Sequence, residues 1–237
     1  GLIPQHYKSD KPEKFLESYL LDYINEEIRA EALVRNIGSF SLFLESAGTH
    51  HGQLLNYANI ARECGVSGKT VREYFQILED TLLGYTLKPW TKSTKRRLIE
   101  TAKFYFFDLG IVRAMNSMRL IQKGTEEFGL SFEHFIINEV RAFLSYNKKF
   151  LSITYWRTST GLEVDLIVGN LDIAIEIKSS DHIRLQDIKG LTALCEEQKI
   201  GKAIVVSFDK EKKLLNGNIH VMPWKIFCSD LWNGKII

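Results

Sequence analysis

The sequence predicts an α/β chain in which helices, a helix-turn-helix and a basic hairpin precede an α-β-β-β-α-β domain. Three observations carry that expectation. Apolar residues recur at three-and-four spacing as far as residue 83, alternation takes over from residue 151, and a polar, glycine-containing linker at 122–129 separates the two patterns. At 237 residues the chain has room for more than one core, since domains commonly hold about 100 to 150 residues. With 45% hydrophobic and 25% charged residues it is neither disordered nor collagen-like. No apolar run reaches the roughly 18 residues a membrane-spanning helix needs.

The first region, 1–50, reads as a helical segment. Phe15, Leu16, Tyr19, Leu20, Tyr23 and Ile24, then Leu33, Ile37, Phe40 and Leu44, keep helical spacing over 11–46 and suggest two packed helices. The opening Gly1-Leu2-Ile3-Pro4 carries no signal peptide and no starting methionine, so a fragment of a longer protein is expected. Cys64, Cys195 and Cys228 are odd in number and far apart, which argues against a disulfide framework and a zinc site and favours a reducing cytoplasm.

The second region, 51–123, holds helical spacing from 56 to 83, broken at Cys64-Gly65-Val66-Ser67. Ala61, Gly65 and Val71 fit the crossing of two short helices, and Ser67 is placed to cap the second. Extended pieces at 85–87 and 103–107 flank the basic stretch 90–97. This is the order of a winged helix-turn-helix. Lys69, Thr70 and Arg72 would face a DNA groove, and Lys92, Lys95, Arg96 and Arg97 at the wing tip would meet phosphates. The charge distribution agrees: 51–103 holds nine basic and five acidic residues, whereas 1–50 holds five and eight. A wing used only for protein packing is the alternative. Gly65-Val66-Ser67-Gly68-Lys69-Thr70 imitates the end of a phosphate-binding loop, but Glu63 stands where the first glycine is required, so no ATP site is expected in this chain. His50 and His51 adjoin a loop and are able to bind metal, but read first as a solvated loop pair.

The third region, 124–237, begins with a helix at 131–146 and continues with strands at 151–157, 162–168 and 172–178, a helix at 184–197 and a strand at 202–208. Gly169-Asn170 suits a two-residue hairpin turn. Strict alternation in Leu162-Glu163-Val164-Asp165-Leu166 would put both acids on one face, and Glu176 and Lys178 would share a face on the next strand. The hairpin would then set Asp165 beside Glu176. Two neighbouring carboxylates repel unless a cation lies between them, and hard oxygen donors suit magnesium or manganese. Asp165, Glu176, the Ile177 carbonyl and Glu133 are the expected metal donors, with Asp165, Glu176, Lys178 and Glu133 as the catalytic set. Lys178 would orient water or stabilise phosphate charge, Gln186 would assist it, and Glu163 is a weaker candidate. Arg157 reads equally as a phosphate contact or as a partner of Glu163, His134 and His182 as bystanders, and Trp90, Trp156, Trp224 and Trp232 as packing residues before stacking ones. Asp165, ten intervening residues and Glu176-x-Lys178 behind a Glu-bearing helix form the pattern of a PD-(D/E)XK restriction-endonuclease-like fold.

Across most of its length the chain resembles the region following the ATPase module in a family of prokaryotic AAA-type ATPases. The resemblance lies in 19–24, 59–67, 70–79, 103–110, Phe132-Glu133, Tyr155-Trp156-Arg157, Glu163-Val164-Asp165 and Ile175-Glu176-Ile177-Lys178. It implies a winged helix, then a nuclease-like domain whose acids and lysine fall on Glu133, Asp165, Glu176 and Lys178. It also implies an ATPase module outside this chain, through which the whole protein would oligomerise. The expected function is divalent-metal-dependent cleavage of nucleic acid, with DNA the expected substrate class, or else a non-catalytic DNA- or protein-binding module that regulates the ATPase.

Overall fold

The computed structural model describes residues 3–4, 8–23, 26, 28, 36–92, 96–116 and 121–237. The chain is mixed α/β, as the sequence predicts, and forms two compact units, Gly1–Thr86 with Ala102–Leu120 and Leu87–Thr101 with Ile121–Ile237. No helix among the described residues is long and apolar enough to cross a membrane.

Unit 1 is built from capped amphipathic helices. Helix α1, Pro12–Asp22, starts with the proline whose missing N–H is no loss in a first turn. Asn36 caps α2, Ile37–Thr49, by accepting the Ser39 N–H, and Asn56 caps α3, Tyr57–Cys64, in the same way through Asn59. Helix α4, Gly68–Asp80, follows a turn in which Gly65 holds a left-handed φ of 65° and the Ser67 hydroxyl accepts the Thr70 N–H at 3.1 Å. The glycine and serine expected at this turn therefore have a local structural use. Val71 and Ala61 are buried where the helices meet.

The core of unit 1 is aromatic. Phe43 meets Phe75 at 4.8 Å between ring centres, Phe75 meets Phe104 at 4.8 Å, and Phe40 meets Tyr74 at 5.0 Å. The boundary expected at residue 50 falls inside this unit, because Phe40 and Phe43 of α2 share one core with Tyr74 and Phe75 of α4. Strand β1, Gly84–Pro89, begins beside β2, Lys103–Phe106, and α5, Leu109–Met115, follows, capped by Asp108. Gly84 is obligatory at that contact: a Cβ there would lie 2.2 Å from the Phe104 ring. His51, read from sequence as solvated, is buried, because Gly52 N–H bonds to the Phe104 carbonyl at 2.8 Å and carries the loop onto β2. Its Nδ1 accepts the Phe106 N–H at 3.2 Å.

Unit 2 opens with helix α6, Glu126–Tyr146, capped by Thr125 and carrying Glu126 and Glu127 in its first turn, where acids suit the helix dipole. Strands β3 (Ile153–Arg157), β4 (Glu163–Val168) and β5 (Ile173–Ile177) form an antiparallel meander. Helix α7, Lys189–Glu197, returns the chain to β6, Lys202–Ser207, which runs parallel to β5. The α-β-β-β-α-β order is thus present, and it continues with β7 (Lys213–Leu215), β8 (Ile219–Pro223) and α8 (Trp224–Trp232). The strand order is β3-β4-β5-β6-β8-β7.

Several expected details change. The turn at Gly169-Asn170 is not a two-residue hairpin, since Val168 pairs with Ile173 and leaves 169–172 as the loop. Burial of Leu171, at a φ of 69°, takes up the extra length. The helix expected from 184 begins as a 3-10 turn, Leu185–Ile188, with the Arg184 N–H bonded to Asp187. The largest change concerns 90–101. The end of β1 pairs in parallel with β3, Lys88 with Thr154 and Pro89 with Tyr155. Beyond it, Trp90 N–H bonds to the Tyr155 carbonyl, Ile99 N–H to the Arg157 carbonyl, and Ser159 N–H to the Arg97 carbonyl. The stretch read as a wing tip of the 51–123 region therefore belongs to unit 2, where it satisfies backbone groups along β3.

Candidate functional site

The β4–β5 pairing of Leu166 with Ile175 and Ile167 with Ala174 continues to set Asp165 across from Glu176. Both side chains are buried, at 6% and 4% exposure. Asp165 Oδ2 accepts the Ile177 N–H at 2.7 Å, so the acid closes the end of β5. The strict alternation expected for 162–166 does not hold. Register between β3 and β4 shifts near Thr154 and Trp156, and Val164 and Ile167, an odd number of residues apart, both pack into one core cluster. Asp165 and Leu166 lie in that bulge, a device that re-aims a side chain. Behind it, Gly190 allows close approach of α7: a Cβ there would stand 1.8 Å from the Glu163 carbonyl oxygen.

Lys178 prolongs β5 by donating its N–H to the Val206 carbonyl at 3.0 Å. Its Nζ lies 2.6 Å from Glu176 Oε1, while Glu176 Oε2 is buried with no hydrogen-bond partner among the described residues. Burial and then the Asp165 charge push the Glu176 carboxyl well above the usual range, against the opposing pull of Lys178. Burial lowers the Lys178 ammonium, but Glu176 and Asp165 outweigh it and hold the group above its ordinary value, with a further contribution from Glu133. Glu133 itself is half-buried on α6.

The structure brings together Asp165, Glu176, the Ile177 backbone and Lys178, with Glu133 within electrostatic reach of the lysine. It does not make the larger acid cluster: among the described residues no three His, Cys, Asp or Glu side chains gather to hold a metal. Glu163 is occupied by Arg157 at 2.7 Å, and Gln186 is exposed on the 3-10 turn. His134 is buried and bonds to Asn138 at 2.8 Å.

Residues 1–122 match the family model of a domain of unknown function, DUF8612. The chain belongs to the DUF8612 family. Residues 128–227 match a second domain of unknown function, DUF4143. Uncharacterized proteins of Mycobacterium bovis, Mb2031c, and Mycobacterium tuberculosis, Rv2008c, are each 32% identical over 121 residues, covering 50% of this chain and 26% of the relative. The aligned part is thus about a quarter of the relatives' length.

Within the DUF8612 match, Lys69, Thr70 and Arg72 stand together at the start of α4. Lys69 is exposed and loosely paired with Glu73 at 3.9 Å, Thr70 meets the Ser67 hydroxyl, and the Arg72 guanidinium lies 4.8 Å over the Tyr57 ring. Lys92 and Arg96 lie in unit 2 and are engaged there, Lys92 with Asn170 at 2.9 Å and Arg96 with Glu197. Arg97 bonds through its carbonyl, and Lys95 lies outside the described residues.

The DUF4143 match contains one network that strand patterning does not reveal. Asp209 is buried, accepts the Ser207 hydroxyl at 2.9 Å and the Ile183 N–H at 3.1 Å, and pairs with Lys213 at 2.6 Å. It fixes the loop that leaves Lys178. The only trace in the sequence is an acid directly after a predicted strand, a pattern shared by many solvated turns.

Proposed function

We propose that unit 2 is a nuclease-like domain of the PD-(D/E)XK kind acting on nucleic acid with a divalent metal, within a longer cytoplasmic AAA-type ATPase. The observation that carries this reading is the buried Asp165–Glu176 pair beside Lys178, with Glu176 Oε2 unpartnered among the described residues and its carboxyl raised by burial and by Asp165. Such a pair fits a hard cation, which would relieve the repulsion and use the orphan oxygen. Asp165, Glu176 and the Ile177 carbonyl would hold magnesium or manganese, with Glu133 directly or through water. When bound, the ion would polarise a phosphodiester and acidify a water. Asp165 orders the end of β5 through the Ile177 N–H, and Lys178 supplies a charged donor for a phosphate oxygen.

Incubation with plasmid, linear duplex, single-stranded DNA and RNA, with magnesium or manganese, tests the reading. Cleavage abolished by Asp165→Ala and Glu176→Ala is the expected result. Absence of cleavage, or cleavage indifferent to both changes, overturns it. A second reading, a non-catalytic regulatory module of the ATPase, is favoured by the Lys178–Glu176 ion pair at 2.6 Å, which partly offsets the buried acid without a metal. It predicts nucleic-acid or protein binding with no hydrolysis. The exposed Lys69 and Arg72 of α4 supply the DNA contacts in either case.

A further inference from the structure

Five aromatic rings of unit 2, on α6, just after β6 and at the start of α8, stand in contact. Ring centres of Phe132 and Phe208 are 4.7 Å apart, Phe128 and Phe208 5.6 Å, Phe208 and Trp224 6.1 Å, and Trp224 and Phe135 5.7 Å. Phe132 is buried and serves as the floor. Phe128, Phe208 and Trp224 are only half-buried, and Phe135 keeps 37% exposure. A row of rings serving the core alone would be covered.

Backbone bonds tie the row to the candidate site. Lys178 N–H reaches the Val206 carbonyl and Phe208 N–H reaches the Ser180 carbonyl, so Phe208 stands beside the chain as it leaves Lys178. Phe128, Phe132 and Phe135 share α6 with Glu133, whose charge acts on Lys178. Cations lie over the two central rings: Lys123 Nζ is 5.2 Å from the Phe208 ring centre and Lys225 Nζ is 5.6 Å from that of Trp224. The acids Glu126 and Glu127 are placed at the N-terminus of α6, where the helix dipole offsets part of their charge.

We propose that this row binds an unpaired stretch of nucleic acid, with bases stacked on Phe128, Phe208 and Trp224 and phosphates met by Lys123 and Lys225, and leads it toward Lys178. Bases within a duplex have both π faces covered by their neighbours and offer none to these rings. Partly exposed rings with ammonium groups beside them suit a strand that presents both bases and phosphates, and stacking tolerates any base. The delivery step rests on the nuclease-like reading above. The binding step does not.

Anisotropy of fluorescein-labelled oligothymidylate, oligouridylate and a DNA duplex of equal length, measured in EDTA, tests this. The single strands bind more tightly than the duplex, and Trp224→Leu or Phe208→Leu weakens single-strand binding on the order of tenfold while leaving duplex binding unchanged. Leucine keeps an apolar filling and removes the π face. Trp224→Phe retains the affinity, which separates loss of stacking from loss of packing. Lys123→Ala with Lys225→Ala lowers the salt dependence by about 0.7 per charge removed. Oligothymidylate and oligouridylate distinguish DNA from RNA as the source of the strand. Unchanged single-strand affinity in both leucine variants, or no preference over duplex, overturns the proposal. Stacking-dependent binding without cleavage on adding manganese removes the nuclease and keeps the row. Asp165-dependent cleavage with unaltered leucine variants does the reverse.

Discussion

The Asp165 carboxylate accepts the Ile177 N–H at 2.7 Å, so one of the two neighbouring acids is committed to holding the strand on which the other stands. Asp165→Ala removes the acceptor and leaves a buried N–H unsatisfied, a loss of about 1–3 kcal/mol. Asp165→Asn keeps an acceptor of the same shape and relieves repulsion with Glu176. In urea melts without metal, the alanine variant is therefore less stable than the asparagine variant. Equal midpoints would remove the structural role assigned to this bond.

Glu176 gives the ion-free protein a pH dependence of defined sign. Its folded value lies well above the unfolded carboxyl value, so the folded protein holds the proton more tightly. Its contribution is most favourable below the unfolded value and is lost as pH rises through the folded one. Glu176→Gln flattens that decline and stabilises the metal-free protein at neutral pH. Manganese at about 100 times its dissociation constant stabilises wild type by about 2.7 kcal/mol and leaves the glutamine variant nearly unmoved. Thermal melts across pH, with and without manganese, read both effects.

His51 predicts the opposite slope in unit 1. Burial lowers it from 6.5 to about 3, so the unfolded chain binds the extra proton first. Its contribution is present above pH 6.5 and is lost as pH falls toward 3, with a limit on the order of 5 kcal/mol at about 1.36 kcal/mol per unit. His51→Asn, which keeps an acceptor for the Phe106 N–H, should resist acid better than wild type. Circular dichroism during acid titration measures the difference. Identical acid midpoints would count against a buried neutral histidine.

Gly190→Ala tests the seating of α7. The added carbon meets backbone, with 1.8 Å to the Glu163 carbonyl oxygen, so no side-chain rotation relieves it. A loss of at least about 1–3 kcal/mol is expected. Displacement of β4 should also disturb the Arg157–Glu163 pair. Denaturant unfolding and the chemical shifts of Glu163 and Asp165 provide the readouts.

Much of this arrangement is legible in the sequence. Alternation locates β4 and β5, and the spacing of Asp165 and Glu176 brings them opposite each other. Gly65 and Ser67 mark the turn between α3 and α4 because their φ and hydroxyl requirements are local. What alternation cannot reveal is the bulge at Asp165, where the β3–β4 register shifts between the Thr154–Ile167 and Trp156–Val164 pairs. Leu171 likewise lengthens the hairpin for a tertiary reason. The basic run 90–97 carries the composition of an exposed tip, and nothing within it announces that Trp90 and Arg97 bond to the backbone of Tyr155 and Ser159. His51 looks like half of a loop pair until the carbonyl of Phe104 draws Gly52 inward.

The pairing of Trp90, Arg97 and Ile99 with the β3 side of unit 2 makes that unit discontinuous in sequence. A fragment cut from residue 121 onward, at the apparent linker, would lack Lys88 and Pro89 as well. Thr154 and Tyr155 would then be left on a bare strand edge, open to pairing with another molecule. Three chain cuts, after residues 86, 101 and 120, with the excised 87–101 peptide supplied in trans, are needed to isolate this half with its full complement of strand partners. A one-cut fragment that aggregates would therefore report a missing strand and carry no information about whether the acid pair is competent.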